Sequence, residues 1–169
     1  MPSITHKYDP LLNKRFVFSS RLIKEGDEIF SNYVPLYSAT ECRRSNLSKL
    51  FGFLCNCPAC TNSTSSSDSN RDLIESLDGE IYLNISKGRY DDAEKSIERR
   101  LQLLNEENLA TPDILYRTCY DGFQLFDRRG APAAIKLDWL KKVEKHASEF
   151  MLRETFDFVE IKTKLKQFL

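Results

Sequence analysis

The sequence predicts an α+β protein in which a short strand-bearing segment precedes an all-α half. Three observations carry that expectation. Residues 15–23 and 28–33 are rich in β-branched and aromatic side chains and are joined by turn chemistry. Residues 61–70 contain no apolar side chain at all. Beyond residue 71 the apolar residues recur at helical spacing.

In the first part, the run Arg15-Phe-Val-Phe-Ser-Ser-Arg-Leu-Ile23 reads as a strand. Lys24, Glu25, Gly26 and Asp27 form a turn in which Gly26 is free to adopt positive φ. The run Glu28-Ile-Phe-Ser-Asn-Tyr33 reads as a second strand, with Ile29, Ser31 and Tyr33 on one face. Ser38 and Glu41 fit a capping box opening a short helix to about Leu50, with Leu47 and Leu50 on its inner side. Residues 61–70 cannot offset the entropy of ordering themselves and read as a flexible linker.

In the second part, Leu73, Leu77, Ile81 and Ile85 mark one helix, and Ala93, Ile97, Leu101 and Leu104 mark the next. The turn between them, Lys87-Gly88-Arg89-Tyr90, makes the two an antiparallel pair. Pro112 suits the first turn of a third helix carrying Leu115, Tyr116, Phe123 and Phe126. A fourth spans about 133–155 with Trp139, Val143 and Phe150 inward, and a last one covers 158–168.

Composition removes several function classes. The 25 basic residues balance 25 acidic ones, so the basic excess of a nucleic-acid binder is missing. No apolar run approaches the roughly 18 residues of a membrane span. The N-terminus is polar, unlike a secretory signal. The lysine runs at 141–145 and 162–166 read as solvated helix faces, and His6 and His146 as surface residues. The expected setting is intracellular, nucleus or cytoplasm, with no membrane and no direct nucleic-acid partner.

Five cysteines lie at 42, 55, 57, 60 and 119. Their odd number and clustering argue against disulfides and for metal-binding thiolates. Cys55-Asn-Cys57-Pro-Ala-Cys60 is the sharpest motif. Its short spacings let neighbouring thiolates converge on one ion, and Pro58 stiffens the loop. Soft thiolates at such spacing favour Zn²⁺, which takes four ligands in a structural site. The plainer alternative is a group of buried free thiols. Cys42 and Cys119 are fourth-ligand candidates by count alone. Cys119, among Tyr116, Tyr120 and Phe123, reads as a core residue.

Glu25-Gly-Asp-Glu-Ile29, then Tyr33, then Arg43-Arg44, then Phe51-Gly-Phe53-Leu-Cys55-Asn-Cys57-Pro-Ala-Cys60 resembles the C-terminal SET plus post-SET segment of protein-lysine methyltransferases. The branch it resembles most has a post-SET zinc loop followed by tetratricopeptide-like helices, as in the SET-and-MYND proteins and their fungal relatives. Gly88-Arg-Tyr90-Asp-Asp-Ala93 suits such a helical repeat. The resemblance is specific over residues 15–60 and general beyond 71.

The resemblance implies a C-terminal remnant of a SET β-fold at 1–50, a post-SET zinc loop at 51–60, a linker at 61–70 and a tetratricopeptide-like helical domain at 71–169. It places Tyr33 at the catalytic position and at the cofactor. Phe51 and Phe53 match aromatic positions closing over S-adenosylmethionine and the lysine channel. Cys55, Cys57 and Cys60 match three of the four ligands of a structural zinc. The family's Gly-x-Gly loop and its Asn-His-Ser-Cys, whose cysteine is the fourth ligand, are not in this sequence. Met1-Pro2-Ser3 fits the position just after that cysteine.

The implied reaction is S-adenosylmethionine-dependent methylation of a lysine on a protein substrate, with the present chain inactive alone. The amine must lose its proton, against a reference pKa near 10.4, before it attacks the methyl group. A fixed tyrosine hydroxyl beside a narrow apolar channel can align and polarise it. The alternative function is a non-catalytic module in which the zinc loop and helices bind another protein. An unrelated zinc ribbon leaves Tyr33 and the strand pattern unexplained.

Overall fold

The computed structural model describes residues 2–10, 12–151 and 155–168. Among them stand one two-stranded antiparallel sheet and seven helices, so the chain is α+β in the broad sense and mostly helical.

β1 (Ile4–Asp9) pairs with β2 (Lys14–Ser19), Ile4 opposite Ser19 and Asp9 opposite Lys14. The loop between them is closed by its own side chains. Asp9 Oδ1 accepts the Leu12 N–H at 3.0 Å, and the Tyr8 hydroxyl donates to Asn13 Oδ1 at 2.7 Å. Along β2 the period of two leaves Val17 in solvent and lays Phe18 on the helical half. The ion pair between Lys7 and Asp157, at 2.5 Å, adds a second tie across the same boundary.

The strand expected over 15–23 therefore ends at Ser19, and its partner is a polar segment that carried no strand signal. Backbone pairing, not apolar pattern, makes β1. The second expected strand, 28–33, is not one. Phe30 O accepts the N–H groups of Ser3 (2.9 Å) and Ile4 (3.2 Å), and the Phe30 N–H donates to the buried Ser3 hydroxyl at 2.7 Å. That single anchor does not extend into a ladder, and Ile29, Phe30 and Tyr33 stay exposed. A lone extended segment whose apolar face meets no core gains little from pairing. The turn before it forms as expected: Gly26 has φ 86°, and Asp27 Oδ2 accepts the Lys24 N–H at 3.1 Å.

α1 (Thr40–Phe51) follows without the capping box: its N-cap is Ala39, and no side chain caps it from that position. The Thr40 N–H is held instead by Asp68 Oδ1 at 2.8 Å, a tertiary partner invisible to a local motif. Leu47 is buried, but Leu50 is 71% exposed and does not share its side. α2 (Pro58–Thr61) is one turn inside the cysteine loop.

The expected flexible linker, 61–70, is largely helix. α3 runs Ser65–Ser86, and Thr64 caps it by accepting the Ser67 N–H at 3.1 Å. Its first turns find polar partners instead of apolar ones: Asp68 with Thr40, and Ser67 and Asn70 with Glu107. Composition alone could not show those partners. α3 turns at Gly88 (φ 70°) into α4 (Tyr90–Glu106), the antiparallel pair that the pattern predicts. Ile74, Leu77, Ile81 and Ile85 are buried on α3, and Ala93, Ile97, Leu103 and Leu104 on α4. Leu73 is exposed and Leu101 only half-buried.

α5 (Pro112–Arg128) opens on proline and packs against α6 (Ala133–Phe150), which in turn meets α7 (Phe156–Lys166). α6 ends at Phe150; of the residues to which it was expected to continue, 152–154 lie outside those described. Gly122 on α5 faces the Trp139 ring of α6, and a Cβ there would overlap the indole. Cys119, Phe123, Leu140, Val143, Ala147, Phe150, Phe158, Ile161 and Leu165 form one apolar core; Ile81, Ile97, Leu125 and Phe126 belong to another. Each helix of this half thus packs mainly on its neighbours in sequence. Leu36 and Tyr37 lie against a third core, which fixes the segment leading to α1.

Candidate metal centre and aromatic cluster

The cysteine loop brings its three thiols together. The sulfur atoms of Cys55, Cys57 and Cys60 lie within 4.8 Å of one another. The local reason is the α2 turn. Cys57 caps it, and its carbonyl accepts the N–H groups of Cys60 (2.8 Å) and Thr61 (3.0 Å), folding Cys60 back over Cys57. Pro58 fills the first position, where no N–H is needed. Cys60 is buried, Cys55 half-buried and Cys57 exposed, so the group is open on one side.

The thiols are electrostatically unequal. Burial pushes Cys55 upward, and the neighbouring thiols of Cys57 and Cys60 add to that. Burial also opposes ionisation of Cys57. Hydrogen bonds from Cys55, from Cys60 and from the Cys60 and Ala59 backbone N–H groups outweigh it and hold Cys57 below the usual thiol range. Cys57 thus ionises more readily than an ordinary thiol, and the thiolate is the form that ligates metals.

The donor set fits zinc. Around a tetrahedral ion with Zn–S near 2.3 Å, neighbouring sulfurs stand about 3.8 Å apart. The separations here need at most about 1 Å of side-chain contraction to match that geometry. No fourth His, Cys, Asp or Glu joins the three among the described residues. Cys42 is exposed and beside Asn46, whose amide donates to it at 3.6 Å. Cys119 lies in the α5–α6 core, and burial pushes its thiol up to about 11. It is a core residue, as its neighbours suggest.

The residues expected at the reaction centre also meet. Tyr33 is edge-on to Phe51 at 5.1 Å and to Phe53 at 5.9 Å between ring centroids. Gly52, at the end of α1 with φ 73°, turns the chain so that Phe51 and Phe53 reach the same tyrosine. The cluster lies on the surface: Tyr33 is 61% exposed. Beside it an open groove of about 870 Å³ runs between the hairpin, residues 31–37 and α5, with Tyr116 and Arg117 on its far side.

Sequence reasoning missed the side chain that joins α1 to the cysteine loop. Arg43 noted only as half of an Arg-Arg pair, is 5% exposed. Its guanidinium donates to Ala59 O at 2.9 Å and approaches Cys60 Sγ at 3.6 Å. Arg44 donates to Cys60 O at 2.9 Å. The available signal was helical spacing: Arg43 lies four residues before the buried Leu47, hence on the inner face. His6 is exposed, as expected. His146 is not a surface residue: it is half-buried, its Nδ1 finds no hydrogen-bond partner among the described residues, and burial lowers its pKa. No described helix is long and apolar enough to cross a membrane.

No protein-family model matches the chain. Over 60 residues, 36% of its length, the chain is 33% identical to the histone-lysine N-methyltransferase set5 of Schizosaccharomyces pombe. The match takes in 19% of that protein, so the chain spans about a fifth of the length of the curated relative. Over that stretch the chain is similar to a SET-domain histone-lysine methyltransferase, which supports a SET relationship for about a third of its residues.

Proposed function

We propose that this chain is the C-terminal part of a SET-type protein-lysine N-methyltransferase that uses S-adenosylmethionine. Residues 1–50 would end the SET domain, 51–60 form its post-SET zinc loop and 71–169 form a tetratricopeptide-like helical domain. The observation that carries this reading is a convergence. Tyr33, Phe51 and Phe53 meet edge to face directly ahead of a loop whose three thiols close on one point. The similarity to a histone-lysine methyltransferase over 60 residues supports it independently.

In this reading Cys55, Cys57 and Cys60 hold a structural zinc, and the ion fixes the loop on which Phe53 and the end of α1 depend. S-adenosylmethionine, when bound, supplies the methyl group. The aromatic cluster fits one side of such a cofactor, because ring faces attract a cationic centre. The sequence contains neither Gly-x-Gly nor Asn-His, so the rest of the cofactor cradle does not stand with it. Tyr33 would orient the substrate amine through its hydroxyl, while Phe51 and Phe53 hold the tyrosine ring and exclude water from one side. The groove beside Tyr33 gives a substrate chain its approach.

The protein substrate would carry the lysine; nucleic acid and membrane have no role in the reading. The present chain alone would neither bind the cofactor tightly nor transfer methyl groups. The test is methyl transfer from labelled S-adenosylmethionine by a version of the protein carrying a complete cofactor loop. It should label lysine, and Tyr33→Phe should lower kcat by roughly 100-fold or more with the fold intact. No lysine labelling, or a Tyr33→Phe variant as fast as the parent, would remove the reading. The alternative is a non-catalytic zinc-loop and helical interaction module. It requires that the complete version bind a protein partner and transfer no methyl group.

A further inference from the structure

Arg43 is buried, and four neighbours share its guanidinium: the Ser38 carbonyl, Thr40 Oγ1 at 3.1 Å, Ala59 O at 2.9 Å and Cys60 Sγ at 3.6 Å. None of these is a carboxylate. The nearby carboxylate, Asp68, is engaged by the N–H of Thr40 at 2.8 Å and its hydroxyl at 2.9 Å. A buried guanidinium supplied mainly with neutral oxygens favours a negative charge at the remaining contact. That contact is the Cys60 sulfur, which becomes a thiolate once it ligates a metal.

We infer that Arg43 is a positioning residue for the cysteine cluster, donating a hydrogen bond to the Cys60 sulfur and linking the loaded site through Thr40 and Asp68 to the first turn of α3. The inference rests on the zinc reading of Cys55, Cys57 and Cys60. Partners one step beyond a metal ligand orient it and tune its donor strength. Here the partner also closes a chain of contacts: Cys60 to Arg43, Arg43 to Thr40, Thr40 to Asp68. Asp68 lies in the first turn of α3, and Thr40 opens α1. Loading the loop should therefore steady the start of the helical half as well as the loop itself. Arg44 supplies the contrast, since it grips the Cys60 carbonyl and not the sulfur.

The test uses the full chain titrated with Co²⁺ and with Zn²⁺ under reducing conditions, reading affinity, the sulfur-to-cobalt charge-transfer band and amide exchange at 65–69. Arg43→Gln should weaken metal binding roughly 10- to 100-fold. It should also move the charge-transfer band to lower energy, because the sulfur loses a hydrogen-bond donor. Arg44→Gln should leave the band where it is. In the parent chain Zn²⁺ should slow exchange at 65–69; in Arg43→Gln it should not. Thr40→Val keeps the sulfur contact and the backbone N–H bond to Asp68 but removes the hydroxyl that joins Arg43 to Asp68, so it should retain the band and lose the exchange effect. It carries the test if Arg43→Gln fails to keep its helical circular dichroism. A parent chain that binds Co²⁺ with an Arg43→Gln variant of the same affinity and band overturns the inference and leaves the zinc reading standing. Retained zinc-dependent exchange protection in Thr40→Val also overturns it. A parent chain that binds neither ion overturns the zinc reading, and the inference with it.

Discussion

Asp121 lies beside Arg100, 4.0 Å from its guanidinium, while Asp78 makes the closer pair at 2.8 Å and Thr118 accepts a third bond at 3.0 Å. Burial outweighs the attraction of Arg100 and pushes the Asp121 carboxyl up to about 6 from 3.8. A raised carboxyl favours the folded state only while it can stay protonated, so its contribution is present below pH 4 and lost as pH rises through about 6. Urea unfolding between pH 4 and 7 should therefore show a smaller loss of stability on raising the pH in Asp121→Asn than in the parent. An equal or greater loss in the variant would contradict the assignment. At the same scale, Cys60→Ser should lower zinc affinity more than Cys42→Ser, since only Cys60 stands in the thiol group. Equal losses in an equilibrium zinc competition would refute that placement. The thiol group was legible in the sequence because its short spacing brings local neighbours together; Tyr33, far in sequence from Phe51 and Phe53, was put beside them by the family resemblance and not by spacing. Arg43 and Asp121 were not legible, because their partners stand on other elements of the fold.

The helices depend on particular local contacts. Gly122 on α5 lies against the Trp139 ring of α6, and an added methyl must displace the indole. Gly122→Ala should cost about 1–3 kcal/mol by overpacking, although alanine is the better helix former. A change within about 0.5 kcal/mol, measured by urea denaturation, would show that the indole moves freely. At the other end of the helical half, Thr64→Ala removes the cap of α3 and should cost about 1 kcal/mol. A neutral outcome would mean that the polar ties to Thr40 and Glu107 hold that turn without the cap. Helical period, the Gly88 turn and Pro112 made α3, α4 and α5 readable, because amphipathic helices write their packing into the chain. The strands were less readable for a physical reason. β1 is held by backbone pairing and a few side-chain bonds, so Ile-Thr-His-Lys-Tyr-Asp shows no apolar alternation. Residues 28–33 show the alternation and have no surface on which to use it.

Over the whole molecule, a hairpin and an aromatic cluster are mounted on a helical half, with the cysteine loop at the junction. Phe18 and the Lys7–Asp157 pair fasten the hairpin, Leu36 and Tyr37 the segment leading to α1, and Arg43 and Arg44 the loop. The broad α+β class was readable from the apolar pattern. The ordering of 61–70 was not, since its polar side chains are satisfied by partners elsewhere in the fold. The central claim is that Cys55, Cys57 and Cys60 together hold one zinc ion, and X-ray absorption at the zinc edge tests it most directly. The zinc-loaded chain should show three sulfur neighbours near 2.3 Å and one lighter oxygen or nitrogen neighbour, and the ion should be removable by a chelator. Failure to retain zinc at all, or a zinc surrounded only by oxygen and nitrogen, would contradict the account.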